Sequence, residues 1–293
     1  MKKRADHFRA IGLVANPEKT AAAELIRGVA RSLSRGGKLA IADEATAAMA
    51  KLKVKTAPDI TKLARMVDML FVFGGDGTML GAARAVAGLP TPILGINIGG
   101  LGFLTAIQSA RVREELPKLW CGEFNIEERV LVECRGLEDG KAAQFALNDF
   151  VVSRGATSRL IELEVYVNGE HLTNYRCDGL IISSPTGSTA YSLAAGGAVV
   201  NPSAEVLTIT PICPHTLSNR SVIVRLDSLI EVRVVSKKLE IFLTADGQVQ
   251  LPLSYGDIVQ FQKSRHSIHL VRMADTSFFK TLRQKLNWSG SSI

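Results

Sequence analysis

The hydrophobic positions of the first third of the chain follow two alternating patterns. Short apolar runs such as Ala10–Ala15 are typical of buried strands, and between them apolar residues recur at the spacing of one helix face. These patterns predict strands at Ala10–Ala15, Lys38–Ile41, Met69–Phe73 and Ile93–Ile96, and helical faces at Leu25–Leu33, Ile60–Val67 and Met79–Val86. Because strands alternate with helices, this part of the chain predicts a parallel sheet with helices packed on it.

Beyond about Gly122 the pattern changes to many short apolar runs separated by turn signals. Within this strand-rich part, up to residue 272, only Ser188–Ala195 has helical spacing. In Ile161–Val167 apolar residues alternate with others, and Asn168-Gly169 is a strong hairpin turn. Strands are predicted at Val130–Cys134, Gln144–Ser153, Ile161–Val167, Gly179–Ser183, Val206–Thr210, Ser221–Val224, Ile230–Val235, Ile241–Leu243, Ile258–Gln262 and Ile268–Val271. Such a series predicts an all-β second domain, built as a sandwich.

Helical spacing returns at Thr276–Leu286, and this segment is predicted to pack back on the first domain. The predicted fold is therefore an N-terminal Rossmann-like parallel α/β domain, a β-sandwich-like domain and a C-terminal helix. The predicted limits of these parts are residues 1–122, 123–272 and 273–293.

Composition narrows the class of partner. The chain has 46% hydrophobic and 22% charged residues, as in ordinary globular proteins, and a net charge of +7, which weakly favours anionic ligands. Basic residues do not form a stripe with interleaved aromatics, and no apolar stretch reaches membrane-spanning length. We therefore expect neither a nucleic-acid nor a membrane partner, and we expect a cytoplasmic protein.

The four cysteines, at positions 121, 134, 177 and 213, do not occur in a CxxC spacing. The spacing signals neither a zinc site nor a redox motif. We expect reduced and mainly buried thiols, as in cytosolic proteins.

A glycine-rich turn, Gly74-Gly75-Asp76-Gly77-Thr78, follows the apolar run that ends at Phe73 and precedes a helical pattern. Glycines allow close approach and positive φ, and N–H groups at a helix start can face a phosphate. Asp76 is unexpected there because a carboxylate repels phosphate, which suggests work on a proton or a metal. The alternative is an ordinary turn between strand and helix, since Gly-Asp-Gly is common in turns.

A second unusual stretch, Asp178–Gly197, runs from a predicted buried strand into a hydroxyl-rich turn, a short helix and paired glycines. Its hydroxyls and the ring of Tyr191 suit a nucleoside, with hydroxyls for the sugar and phosphate and a ring for stacking on the base. The alternative is that the hydroxyls cap the helix and Tyr191 is a core residue. The hydroxyl-bearing residues are Thr186, Ser188, Thr189 and Ser192.

Both stretches resemble motifs of one enzyme family. The glycine turn resembles the signature shared by NAD kinases, diacylglycerol and sphingosine kinases and, more distantly, phosphofructokinases. The stretch Asp178–Gly197 is similar to the long signature of bacterial NAD kinases in particular. Further segments that resemble this family, in the same order, are Asn97–Leu104, Leu147-Asn148-Asp149, Thr210–Ser218 and Asp246-Gly247-Gln248.

The resemblance implies phosphorylation of the 2′-hydroxyl of the adenosine ribose of NAD to give NADP, with ATP or another phosphoryl donor and Mg²⁺ or another divalent cation. Asp76 is implied as the general base, and Gly74, Gly75, Gly77 and Thr78 as the phosphate-binding loop. Asp149 stands where the family usually has a glutamate, which is one methylene longer. The implied NAD-binding residues are Asp76, Gly77, Asn148, Asp149, Arg159, Arg176, Asp178, Thr189, Ala190, Tyr191, Ser192 and Gln248.

The same resemblance implies a homodimer or homotetramer in which a neighbouring subunit supplies part of the site. Two alternatives remain open, a diacylglycerol-type lipid kinase of the same superfamily and a non-catalytic dinucleotide-binding regulator. The stretch Asp178–Gly197 speaks against the first, and retention of Asp76 speaks against the second.

Overall fold

The computed structural model describes residues 8–100, 102–136, 144–156, 158–215 and 220–288. The chain forms two compact units, one made of the segments up to Glu128 and from Ile268 onwards, the other of Arg129–Ser267. The strands are β1 (Ala10–Ala15), β2 (Leu39–Asp43), β3 (Lys55–Ala57), β4 (Met69–Gly74), β5 (Ile93–Asn97), β6 (Ile107–Gln108), β7 (Phe124–Arg135), β8 (Gln144–Ala146), β9 (Asp149–Arg154), β10 (Ile161–Val167), β11 (Glu170–Cys177), β12 (Gly179–Ser183), β13 (Val206–Ile212), β14 (Val222–Arg225), β15 (Ile230–Val234), β16 (Ile241–Ala245), β17 (Val249–Leu253) and β18 (Ile258–Met273). The helices are α1 (Ala23–Arg35), α2 (Glu44–Ala50), α3 (Ile60–Met66), α4 (Asp76–Ala85), α5 (Val112–Trp120), α6 (Tyr191–Ala194) and α7 (Phe278–Lys285).

The first unit is a parallel sheet in the order β3-β2-β1-β4-β5, and the end of β18 continues it through Leu270, which pairs with Ile93. Helices cover both faces. Ile11 shares a hydrophobic cluster with α1, whereas Gly12, the next residue along β1, approaches Leu63 of α3. Because apolar groups lie on both sides, the central strand β4 is buried at every position, which explains its continuous apolar sequence. Helix α7 belongs to this unit, as the sequence pattern predicts.

The second unit contains two antiparallel sheets. One has the order β14-β13-β12-β9-β16-β17, and the other contains β11, β10, β15 and β18, which pair in that order. Their facing side chains form one core, in which the rings of Phe150 on β9 and Phe261 on β18 lie 5.3 Å apart. Two sheets packed face to face over a shared core are a β-sandwich, so the predicted fold class is confirmed.

Several predicted elements differ from the structure in physically simple ways. The predicted strand Gln144–Ser153 is two strands, because Leu147 and Asn148 form a turn between β8 and β9. The predicted helix Ser188–Ala195 is a 3₁₀ turn, Thr186–Thr189, followed by α6, since Ala190 has ψ −129° and leaves helical geometry. The hairpin at Asn168-Gly169 is confirmed, with both residues at positive φ.

Several elements had no clear hydrophobic pattern in the sequence, and one long strand was predicted as two. Strands β3, β6, β11 and β17 and helices α2 and α5 were not predicted. Strand β11 is mostly polar, and α5 carries Pro117 inside the helix. The predicted strands Ile258–Gln262 and Ile268–Val271 are parts of one long strand, β18. Among the described residues, no helix has the length and apolar character needed to cross a membrane.

Candidate active site

The glycine turn joins β4 to α4. Strand β4 ends at Gly74, Gly75 is extended, and Asp76 is the first residue of the helix. A Cβ atom at Gly74 would lie 2.2 Å from Oγ1 of Thr78, so the threonine side chain occupies the space that a larger residue would need. In contrast, a Cβ at Gly75 or Gly77 would meet no atom within 4 Å, which leaves the turn open to a ligand. None of these three glycines has positive φ, so that part of the sequence expectation is wrong.

Two backbone N–H groups hold the carboxylate of Asp76. The N–H of Phe103 donates to Oδ2 at 2.9 Å, and the N–H of Leu104 donates to Oδ1 at 3.0 Å. The carboxylate also lies in the first turn of α4, where the helix dipole favours a negative charge. A carboxylate has about four acceptor positions, so each oxygen keeps capacity for one more hydrogen bond. Asp76 is therefore oriented by the protein and can still accept a proton from a bound hydroxyl.

The loop that holds Asp76 is itself fixed by Asn97 at the end of β5. The buried Asn97 amide donates to the carbonyl of Gly100 at 2.6 Å and to Oγ1 of Thr105 at 3.1 Å, and its oxygen accepts the N–H of Gly99 at 2.7 Å. This loop is the Asn97–Leu104 segment that the sequence analysis singled out; its Leu101 lies outside the described residues. Three hydrogen bonds from one amide give the loop a defined path to the carboxylate.

In the second unit, the carboxylate of Asp246 organises the turn between β8 and β9. It accepts the N–H groups of Leu147, Asn148 and Asp149 at 3.0, 2.8 and 3.3 Å. Asp246 has φ +51° and is followed by Gly247 at φ +64°, and this tight turn places Gln248 next to β17. Asp246 stands in the family-like segment Asp246-Gly247-Gln248, but only Gln248 was expected to have a role in the site.

Asp149 is buried to 4% exposure beside Asp246 and accepts a backbone hydrogen bond from Tyr191. Burial, and next the negative charge of Asp246, raise the pKa of Asp149 to about 7, while the bond from Tyr191 acts in the opposite direction. With its pKa raised in this way, the carboxyl group keeps its proton to a higher pH than an ordinary aspartate does. It can both donate and accept a hydrogen bond, which suits recognition of a ribose hydroxyl or an adenine edge.

The hydroxyl-rich turn is packed against the turn that carries Asn148. The N–H of Ser184 donates to the carbonyl of Asn148 at 2.9 Å, and its hydroxyl donates to the carbonyl of Leu147 at 2.5 Å. A Cβ at Gly187 would lie 2.1 Å from the Asn148 carbonyl oxygen, so only glycine permits this approach. The two signature segments therefore form one structural block in the second unit.

The hydroxyls within this block have different surroundings. Ser188 donates to the carbonyl of Pro185, and the hydroxyl of Ser192 lies 3.0 Å from Oγ1 of Thr210; both serines are fully buried. Both side chains thus have structural contacts, but neither hydroxyl caps a helix, so the capping alternative is wrong for these two serines. Tyr191, in contrast, is 49% exposed and is not a core residue, so its ring is available to stack on a ligand.

Three further predicted site residues of the second unit, Asp178, Arg159 and Arg176, lie in two other places. Asp178 accepts a hydrogen bond from Nε of Arg154 at 2.6 Å, an ion pair that the sequence analysis missed. Arg159 and Arg176 line one surface groove together with Lys237, and Arg176 Nε lies 3.9 Å from Oε1 of Glu162. The lining of that groove includes neither Asn148 nor Tyr191, so the predicted residues form more than one cluster.

Comparisons with known proteins agree with the fold and the motifs. The ATP-NAD kinase N-terminal domain family matches residues 11–124, and the ATP-NAD kinase C-terminal domain family matches residues 147–273. An NAD kinase of Moorella thermoacetica is 43% identical over 283 residues, covering 96% of this chain and 90% of the relative. An NAD kinase of Geobacter metallireducens is 43% identical over 236 residues, covering 80% of this chain and 82% of the relative.

Solved structures are similar over nearly the whole chain. A yeast NADH kinase in complex with NADH has a TM-score of 0.88 at 25% identity, covering 98% of this chain and 89% of that chain. An NAD kinase from Archaeoglobus fulgidus in complex with ATP has a TM-score of 0.76 at 25% identity, covering 96% and 100%. The matched families and relatives, together with the glycine–aspartate turn, identify a phosphotransferase that acts on a nucleotide. The chain belongs to the NAD kinase family.

Proposed function

We propose that this enzyme transfers the terminal phosphoryl group of ATP to the 2′-hydroxyl of the adenosine ribose of NAD, giving NADP. The observation that supports this most directly is the carboxylate of Asp76, which two backbone N–H groups orient while leaving it acceptor capacity. The matched families and relatives are NAD kinases, and they lend no support to a lipid kinase or a non-catalytic regulator.

In the proposed reaction Asp76 acts as the general base. An alcohol is a weak nucleophile, and a positioned carboxylate that takes its proton contributes ~100–10,000-fold to the rate. The O–H bond of the ribose breaks as its proton passes to Asp76, the new O–P bond forms, and the bond between the γ-phosphorus and the bridging oxygen breaks to release ADP. The rest of catalysis is positioning and charge stabilisation, to which the open glycines Gly75 and Gly77 contribute by letting phosphates approach the backbone.

A divalent cation, Mg²⁺ or another, fits this chemistry as a companion of ATP. Mg²⁺ commonly binds through one or two carboxylates, waters and substrate phosphates. In the described parts of the chain, no cluster of three or more His, Cys, Asp and Glu side chains could hold a metal. The residues therefore fit an ion held mainly by the phosphates of ATP, where it would neutralise charge on the transferred group.

Recognition of NAD is proposed for the second unit. Asn148, Asp149 and Tyr191 are close together, and they offer an amide, a carboxyl group that can donate and accept, and an exposed aromatic ring. Gln248 follows the same Asp246 turn that holds Asn148. Arg159, Arg176, Asp178, Thr189, Ala190 and Ser192 remain proposed contacts on the strength of the family resemblance, as do Gly74, Gly77 and Thr78 for the phosphates.

We also propose a homodimer or homotetramer with shared sites, a form that closed symmetry favours. Light scattering under assay conditions tests this, and a fully active monomer would rule it out. The cytoplasm is the proposed location, supported by the cysteines, all four of which are described and free of disulfides. Two of them, Cys121 and Cys213, are exposed, so the expectation of mainly buried thiols is only half right.

The direct test is a coupled assay for NADP formation from NAD and ATP. Asp76→Asn keeps the size of the side chain but removes the base, so turnover should fall by ~100-fold or more while NAD binding is largely retained. Asp59→Asn is the matched control, because Asp59 also stands at a helix start, where it accepts the N–H of Lys62 and forms an exposed ion pair with the ammonium of the same residue. Near wild-type turnover of Asp76→Asn would refute the general-base role, and phosphorylation of diacylglycerol instead of NAD would refute the substrate.

A further inference from the structure

A single arginine near the end of β18 contacts the loop that orients Asp76. Arg272 donates from Nη1 to the carbonyl of Thr105 at 3.1 Å and from Nη2 to the carbonyl of Phe103. Its side chain is 15% exposed, and its Nε lies 3.4 Å from Oε2 of Glu127. Arg272 is far from every motif in the sequence, and no pattern pointed to it.

The geometry of one peptide group connects Arg272 to the catalytic carboxylate. The carbonyl of Phe103 and the N–H of Leu104 belong to the same planar peptide unit. Arg272 binds the oxygen of this unit, and Asp76 accepts its N–H. The arginine therefore fixes the orientation of the peptide plane, because rotation of that plane would break the guanidinium bond and the carboxylate bond together.

The same arrangement also strengthens the bond to Asp76. A positively charged donor on a carbonyl oxygen polarises the amide and makes its N–H a better donor, as in other chains of hydrogen bonds. Both carbonyls that Arg272 holds, those of Phe103 and Thr105, flank Leu104. Asn97 independently fixes the course of the loop through Thr105 and Gly100. Loss of Arg272 should therefore disturb the peptide next to Asp76 without unfolding the whole loop.

We propose that Arg272 is a positioning residue, which holds the Phe103–Leu104 peptide so that Asp76 is aimed at the hydroxyl it deprotonates. This inference rests on the proposed role of Asp76 as general base. Arg272 does not need to touch either substrate, so its removal should lower kcat and leave substrate binding nearly unchanged. A purely structural ion pair with Glu127 would instead lower stability and leave kcat unchanged.

The experiment compares Arg272→Met, Arg272→Lys and Glu127→Gln by kcat, by KM for NAD and ATP, and by thermal melting. Arg272→Met keeps the apolar stem but removes every donor, and kcat should fall about 10–100-fold, as expected for a reacting group misplaced by about 1 Å, with each KM changed less than about threefold. Arg272→Lys keeps the charge with fewer aligned donors, so its kcat should be intermediate. Glu127→Gln removes the ion pair but keeps the carbonyl bonds, and its kcat should stay within about twofold of wild type.

A double-mutant cycle with Asp76→Asn separates this inference from the proposed function. If Arg272 acts through Asp76, Arg272→Met should add little to the loss already caused by Asp76→Asn. The positioning role would be overturned if the fold-decrease in kcat of the double variant equalled the product of the decreases in the two single variants. It would also be overturned if Arg272→Met folded and kept the wild-type kcat. If Arg272→Met does not fold, Arg272→Lys is the deciding variant. The positioning role would be overturned if Arg272→Lys kept the wild-type kcat and if Arg272→Lys and Glu127→Gln lowered the melting temperature equally. A fully active Asp76→Asn would instead refute the base itself.

Discussion

Gly102→Ala should separate the orientation of Asp76 from the stability of the fold. A Cβ atom built at Gly102 lies 2.2 Å from Oδ1 of Asp76, whereas Cβ contacts closer than 3.0 Å are essentially never seen. The carboxylate must therefore move by about 1 Å, away from the N–H groups of Phe103 and Leu104. The clash is with the far end of a side chain, so the backbone can stay in place.

Two magnitudes follow from this clash. A displacement of about 1 Å at a reacting group can cost ~100-fold in rate, so we expect kcat for NADP formation to fall about 10–100-fold. Weakening of the two hydrogen bonds to the partly exposed carboxylate should cost about 1–2 kcal/mol, or a few degrees in Tm. The activity loss is therefore much larger than the stability loss.

The assay measures steady-state kcat together with thermal melting for Gly102→Ala and for Gly100→Ala. The second variant is the matched control, since a Cβ at Gly100 meets no atom within 4 Å in the same loop. We expect Gly100→Ala to keep kcat within about twofold of wild type. Equal kcat values for both variants would show that the position of Asp76 does not limit the reaction.

Two further predictions concern the second unit. Burial and the nearby charge of Asp246 raise the pKa of Asp149 from 3.8 to about 7. The folded protein therefore keeps a proton that the unfolded chain releases at lower pH, and the free energy of unfolding falls as the pH rises between those two values. The free energy of unfolding of Asp149→Asn and of wild type should be measured with denaturant at about pH 5 and pH 8. Between these two pH values, the stability of Asp149→Asn relative to wild type should rise by roughly 2 kcal/mol, and a difference that does not change with pH would contradict this. If Arg176 binds beside the nicotinamide, its fixed positive charge opposes the cationic form of that ring, so Arg176→Ala should change the ratio of kcat/KM for NAD to that for NADH. Equal losses for both substrates would indicate that Arg176 binds the pyrophosphate instead.

The sequence predicts the glycine turn well because each local signal agrees there. The buried run of β4, the glycines and the start of α4 all lie within about fifteen residues, so a short window of sequence contains every signal for this turn. The fold class follows from the same agreement, since the change from helical to alternating spacing marks the change from one unit to the other.

What the sequence could not predict depends on contacts between distant segments. Asp246 holds the N–H groups of residues nearly a hundred positions earlier, and Arg272 holds carbonyls still farther away. Neither the spacing nor the composition around these two residues indicates such partners, because a single charged residue in a turn or strand is ordinarily expected to be exposed to solvent. Strand β11 was missed for a different reason: it is the last strand of its sheet, its polar side chains are mostly exposed, and only its pairing with β10 makes it a strand.

The late position of β18 in the chain matters during synthesis. The first residues of β5 pair in parallel with β18 at Leu270, so this part of β5 lacks that neighbour while the β-sandwich sequence is being translated. At about 5–20 residues per second, the delay between Ile93 and Leu270 is roughly 10–35 s, and unpaired strand edges are sites where nascent chains associate wrongly. Because Arg272 lies two residues beyond Leu270, the segment that covers this edge also brings the guanidinium to the loop beside Asp76. A nascent chain therefore gains the neighbour of β5 and the contacts that hold the loop beside Asp76 from the same segment.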